Sequence, residues 1–167
     1  GATHLVERPA DMASDEAGKL PAICHCVAAL EQELGCTFET ITDLQPTSPT
    51  RHPDDIRGAV AMQKRLGVSN VISGTQAKSS PYFNLVEEQA DGSVALAKPP
   101  AADVVRRQDA PRCFDLNGSI YVWRRDALMD GDGLWFADTH LFEMPAERSV
   151  DIDTELDFAF ADFLMSR

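Results

Sequence analysis

No stretch of about 18 apolar residues occurs in this chain, so no segment is expected to cross a bilayer as a helix. The opening residues, GATHLVERPADMASDE, lack the apolar centre of a signal peptide. Basic residues are scarce: 15 Lys and Arg stand against 27 Asp and Glu, a net charge of −12. A surface that negative repels phosphate backbones, so no nucleic-acid partner is expected. A single nucleotide remains open, because a divalent cation can bridge a triphosphate to carboxylates. Cysteines number four, and Cys24-His25-Cys26 is too tightly spaced for the usual zinc pair. The tract also reads as helix, where residues two apart do not share a face. Structural or incidental thiols, reduced in a cytoplasm, are the expectation. Neither a Walker A nor a GxSxG motif is present, nor a Ser-His-Asp order, which leaves the common phosphate-loop and hydrolase signatures aside. Internal repeats and low-complexity tracts are also missing.

What is present fits a single domain. The chain has 167 residues, 44% of them apolar, enough to bury one core. HLVE reads as a short strand. Ile23, Val27, Leu30 and Leu34 recur at helical spacing, with Gly35 placed to end that helix. FETITDL alternates and predicts a strand. QPTSPTRHP is a loop, and Pro53 with Asp54 and Asp55 suits the first turn of a second helix ending near Gly67. SNVISG predicts a buried strand. This alternation of strand and helix argues for an α/β fold with a mostly parallel sheet and flanking helices. The style then changes to a β-rich insertion at about residues 80–145. It starts with a hairpin turning at Asp91-Gly92 and continues with NGSIYVWRRDAL, a strand running into a helix, where Asn117-Gly118 is a turn signal. GLWFADTHLFEMP supplies one more strand or two. SVDI predicts a short strand, and Leu156, Phe160, Phe163 and Leu164 form the apolar face of a closing helix.

In open α/β sheets, ligands bind beyond the carboxyl ends of strands, which singles out LQPTSPTR and VDID. On a strand, Asp151 and Asp153 would point the same way and repel unless a cation or proton lies between them. A hard cation takes one or two carboxylates plus substrate phosphates. The same residues also suit helix capping, with Asp153 a good N-cap and Thr154 to Asp157 a capping-box pattern. Both readings stay open on the residues alone. Prolines 46 and 49 stiffen the loop, Gln45, Thr47 and Ser48 offer hydrogen bonds, and Arg51 offers a fork for an anion. Arg106, Arg107 and Arg112 cluster against an acidic background, suiting either an anionic ligand or surface ion pairs. Tyr121 follows in the next strand, where a core aromatic is the plainer reading.

RPADMASDEA, LQPTSPTRHPDDI, RRQDAPRCFDLNGSIYVWRRDAL and RSVDIDTELDFAFADFLM together resemble successive motifs of the acylneuraminate cytidylyltransferases. The resemblance runs from Arg8 to the end, in the family's order. It implies a Rossmann-like nucleotidyltransferase fold, with the β-rich insertion serving dimerisation. It also implies the making of a CMP-sugar from CTP and a nine-carbon 2-keto sugar acid, with Mg²⁺ and release of pyrophosphate. By motif, Asp151 and Asp153 would be the catalytic, metal-binding aspartates, and Arg8 would lie on the nucleotide side. Gln45, Arg107, Gln108, Asn117 and Tyr121 would face the sugar.

The family also opens with a strand and a Gly-, Arg- and Lys-rich loop that cradles CTP phosphates, well upstream of the Arg-Pro motif. On this resemblance the chain is expected to be an N-terminally incomplete domain lacking that loop and leaving sheet edges uncovered. Phe83 and Asp115 stand where some sialic-acid enzymes carry basic residues. Lys78 precedes SSPYFN, a form associated with relatives acting on other nonulosonic acids. Two further readings follow: a sister enzyme for a legionaminic- or Kdo-type acid, or a non-catalytic acidic module that keeps the fold. A homodimer is expected through residues of about 105–145, with Trp135 and Phe136 as interface aromatics or core packing.

Overall fold

A computed structural model describes residues 2–14, 17–99 and 106–167, and of Arg107 the backbone alone. Its elements are α1 (Lys19–Leu34), β1 (Thr40–Leu44), α2 (Pro53–Leu66), β2 (Asn70–Gln76), β3 (Val86–Glu88), β4 (Val94–Leu96), β5 (Phe114–Arg124), α3 (Arg125–Asp130), β6 (His140–Glu143) and α4 (Glu155–Met165). The fold is α/β with a mixed sheet in the order β1-β5-β2-β6. β5 runs antiparallel to both β1 and β2, whereas β2 and β6 are parallel. Three strands therefore share one direction and β5 opposes them. The alternation of elements predicts the parallel relation of β1 and β2. It does not show that β5, distant in sequence, wedges between them and takes their ladder hydrogen bonds.

The stretch expected as an insertion divides. β3 and β4 form a separate hairpin, turning at Gly92, and β5 and β6 are strands of the main sheet. Because side chains alternate along a strand, β5 builds both faces. Ile120 and Val122 pack with Ala59, Val71 and Met144 under α2. Tyr121 and Trp123 turn the other way, against Val27 of α1 and Leu128 of α3. Phe136 joins this second cluster, while Trp135 is 67% exposed.

Five local expectations are corrected. Asn117-Gly118 is not a turn between strands but a bulge inside β5, with Gly118 at φ 64 and the β2 register shifting there. Neither HLVE nor SVDI forms a strand, since neither finds a ladder partner. Ile152 instead gives its N–H to Thr47 O at 3.0 Å, a single tie to the proline-rich loop. Thr154, not Asp153, is the N-cap of α4: its hydroxyl accepts from Asp157 N–H while the Asp157 carboxylate accepts from Thr154 N–H. The apolar face of α4 is not packed. Leu156 is 77% exposed and Phe160 and Phe163 are each 50% exposed. Capping and periodicity make the helix, but they do not determine what it docks against.

Candidate active site

The site forms where three chain segments meet at the carboxyl end of β1. The first is the proline-rich loop. Gln45 N–H donates to Ser119 O at 3.3 Å, and Arg51 Nη1 donates to the same oxygen at 2.9 Å. Burial lowers the pKa of Arg51, and the Asp43 carboxylate opposes that.

The second segment is the β5 bulge. Asn117 is buried and its amide is fully engaged. Its Oδ1 accepts from Ser73 Oγ at 2.6 Å, and its Nδ2 donates to Ser149 Oγ at 2.9 Å. The residue expected to face a sugar thus stitches β2, β5 and the turn before Asp151. Tyr121, three residues beyond Gly118, lies directly across from Asp43 of β1. Cross-strand neighbours sit about 4.5–5.5 Å apart at Cβ. Burial raises the Tyr121 pKa above its ordinary 10.0, and the Asp43 and Asp151 carboxylates push the same way. Lys19, in the first turn of α1, pairs with Asp43 and places Nζ 4.3 Å from the Tyr121 ring centroid.

The third segment carries the aspartates. Asp151 comes close to Gly118 through Oδ2, and its Oδ1 is buried without a hydrogen-bond partner among the described residues. Leaving a carboxylate oxygen buried and unpartnered costs free energy. Asp153 is exposed, its N–H donating to Asp157 Oδ2 at 3.3 Å. Among the described residues no three His, Cys, Asp or Glu side chains gather into a metal cage. That donor set fits Mg²⁺, which takes one or two carboxylates and completes its shell with water and phosphate oxygens.

Two clefts share this centre. One, of about 740 Å³, is lined by Arg8, Lys19, Thr42, Asp43 and Gln45. The other, of about 520 Å³, is lined by Lys19, Gln45, Tyr121, Trp123 and Leu128. Lys19 and Gln45 line both. Gln108 lines a different cleft, with Gln76, Ser80 and Arg112. Arg106 pairs with Asp109, and Arg112 Nη2 donates to both Glu143 carboxylate oxygens, at 2.9 and 2.8 Å. The Arg107 side chain lies outside the described residues. Lys19 and Asp43 escape a reading by motif. One is an ordinary helix-start lysine and the other a polar strand residue, and only the pairing of β1 with β5 under α1 joins them to Tyr121.

The fold is one that CTP-using nucleotidyltransferases have. A CMP:2-keto-3-deoxy-manno-octonic acid synthetase solved in complex with CTP shares the fold, with a TM-score of 0.55 at 14% identity over 92% of this chain and 70% of that one. No family model matches the chain. Similarity over nearly the whole of this chain is found with curated proteins. The CMP-N,N'-diacetyllegionaminic acid synthase of Campylobacter jejuni is 37% identical over 166 residues, 99% of this chain and 69% of that protein. The post-translational flagellin modification protein B of Campylobacter coli is 36% identical over 165 residues, with the same shares. Proteins named N-acylneuraminate cytidylyltransferase match shorter stretches. The chain belongs to the acylneuraminate cytidylyltransferase family.

Proposed function

We propose that the protein activates a nonulosonic acid with CTP, yielding the CMP-sugar and pyrophosphate. The observation that carries this is the 37% identity to a CMP-N,N'-diacetyllegionaminic acid synthase across 99% of the chain. The same match favours a legionaminic-type acid over the other nonulosonic acids. The anomeric hydroxyl oxygen of the sugar acid bonds to the α-phosphorus of CTP, the bond to the β-phosphate oxygen breaks, and the hydroxyl proton is released. Such a reaction is catalysed mainly by positioning and by charge stabilisation.

The residues divide by the cleft they line. Arg8, which lines the first cleft, is proposed for the anionic nucleotide; Gln45, which lines both, and Tyr121, which lines the second, are proposed for the hydroxyl-rich sugar. With its pKa raised, the Tyr121 phenol keeps its proton at neutral pH and serves as a hydrogen-bond donor. By motif, Arg107 and Gln108 are proposed for the sugar acid's carboxylate end, where a guanidinium fork suits the charge, although Gln108 lines a cleft separate from that of Gln45 and Tyr121. Asp151 and Asp153 would hold Mg²⁺, which neutralises the phosphate charge that builds up during transfer. The orphaned Asp151 Oδ1 supports this reading.

Because the reaction consumes CTP, the cytoplasm is the proposed compartment, and free cysteines fit a reducing one. Among the described residues no helix is long and apolar enough to cross a membrane. A homodimer is proposed, with the exposed Trp135 at the contact. Sedimentation should show two copies per particle, and Trp135→Ser should shift it toward the monomer.

The test of function is pyrophosphate release from CTP and Mg²⁺ with N,N'-diacetyllegionaminic acid, N-acetylneuraminic acid and Kdo in parallel. The highest kcat/KM is expected with the legionaminic acid, and Asp153→Ala should depress it. No release with any of the three acids would overturn the proposal and favour a non-catalytic module.

A further inference from the structure

Asp55 lies in the first turn of α2, where an acidic residue is expected to face solvent beside the helix dipole. It is buried instead, at 3% exposed. Its Oδ1 accepts from Arg148 Nη2 at 2.9 Å, and its Oδ2 accepts from Arg148 Nε and from His52 N–H, each at 2.9 Å. One carboxylate thus joins the end of the proline-rich loop to the 3-10 turn Ala146–Arg148, three residues before Asp151. A second tie links the same segments just beyond that aspartate, from Ile152 N–H to Thr47 O at 3.0 Å. Asp151 lies between the two ties, and its own Oδ1 has no partner among the described residues to hold it. The backbone therefore sets where this carboxylate points, and the backbone is pinned at Arg148, at Ser149 through Asn117, and at Ile152.

We propose that Asp55 and Arg148 are positioning residues that fix Asp151 against the loop carrying Gln45. In its catalytic consequence this rests on the function proposed above; the mechanical coupling does not. Groups behind a metal ligand commonly change metal affinity or activity by about 10- to 100-fold when removed. Breaking a buried ion pair leaves a charge unpaired, so a general loss of stability has to be separated from a local one.

The separation comes from backbone amide exchange, measured by NMR on the protein with Arg148→Met and Arg148→Lys. Exchange at Ile152 should quicken about tenfold or more in Arg148→Met relative to Val122 in the middle of β5. Arg148→Lys keeps a charge opposite Asp55 but not the two-pronged geometry, so it should fold and give an intermediate rate. In pyrophosphate release, the Mg²⁺ concentration for half-maximal rate should rise about 10- to 100-fold in Arg148→Met. It should recover in part with lysine. Equal quickening at Ile152 and Val122, or no change at either, would overturn the coupling. Selective quickening with an unchanged Mg²⁺ requirement would overturn the positioning role. If the unsubstituted protein releases no pyrophosphate while Ile152 responds selectively, the coupling stands and the proposed function falls.

Discussion

Gly118 and Asp151 approach so closely that a Cβ on the glycine would lie 3.1 Å from Asp151 Oδ2. The glycine also holds φ 64, a left-handed conformation that costs other residues about 1–2 kcal/mol. Both facts act at one position, because the bulge that bends β5 also makes room for the carboxylate. Gly118→Ala should therefore lower stability by about 1–2 kcal/mol, a Tm fall of about 2–8 °C in a domain this size. It should also raise the Mg²⁺ requirement of pyrophosphate release, as the displaced carboxylate loses its seat. A thermal melt and a Mg²⁺ titration check the two effects separately.

The capping role and the proposed metal role of the closing acidic segment fall on different residues, so they are separable. Thr154→Ala removes an N-cap and should cost about 1 kcal/mol in a denaturant melt. Its Mg²⁺ dependence should stay close to that of the unsubstituted protein. Asp151→Asn should do the reverse, keeping the helix while lowering kcat by about 100-fold or more, as loss of charge stabilisation at the transferred phosphate predicts.

Asp43 and Tyr121 make a testable electrostatic pair. Burial is the largest cause raising the Tyr121 pKa, and Asp43 is the next. The chain has two tyrosines, so Tyr82→Phe leaves a single phenol to follow by ultraviolet titration. That phenol should titrate above 10.0. Adding Asp43→Asn should lower the midpoint without returning it to the ordinary value, because the burial remains.

Glu31 on α1 receives Arg125 through two hydrogen bonds of 2.7 Å and also accepts Phe38 N–H at 3.0 Å. The Arg125 guanidinium, ahead of the Phe38 amide, lowers its pKa from 4.5 to about 2. A depressed carboxylate stabilises the fold above its unfolded pKa and loses that contribution as pH falls through the folded one. The stability gap between this protein and Glu31→Gln should be full at pH 7 and narrow between about 4.5 and about 2. Melts across that pH range measure it.

Much of the local structure was legible. Gly35 and Gly67 end α1 and α2, Pro53 opens α2, and Thr154 with Asp157 caps α4, because each depends on residues within one turn of chain. Two motif segments do come together in the fold. Gln45 follows β1 directly, and Asp151 lies on the segment that returns to the same loop. Asn117 shows where this reading stops: the Asn-Gly pair signals a sharp backbone change, but a bulge and a hairpin turn both satisfy it.

By itself, then, the sequence determined the elements, the family and the aspartates worth testing, since capping, periodicity and motif spacing are local or pairwise along the chain. Only the tertiary structure decided that β5 would lie between β1 and β2, setting Asp43 across from Tyr121. It also decided that Asp55 would be buried on Arg148 and that the apolar face of α4 would lie open. Each of these depends on which distant segments share a surface, and hydrophobic periodicity carries no label for its partner.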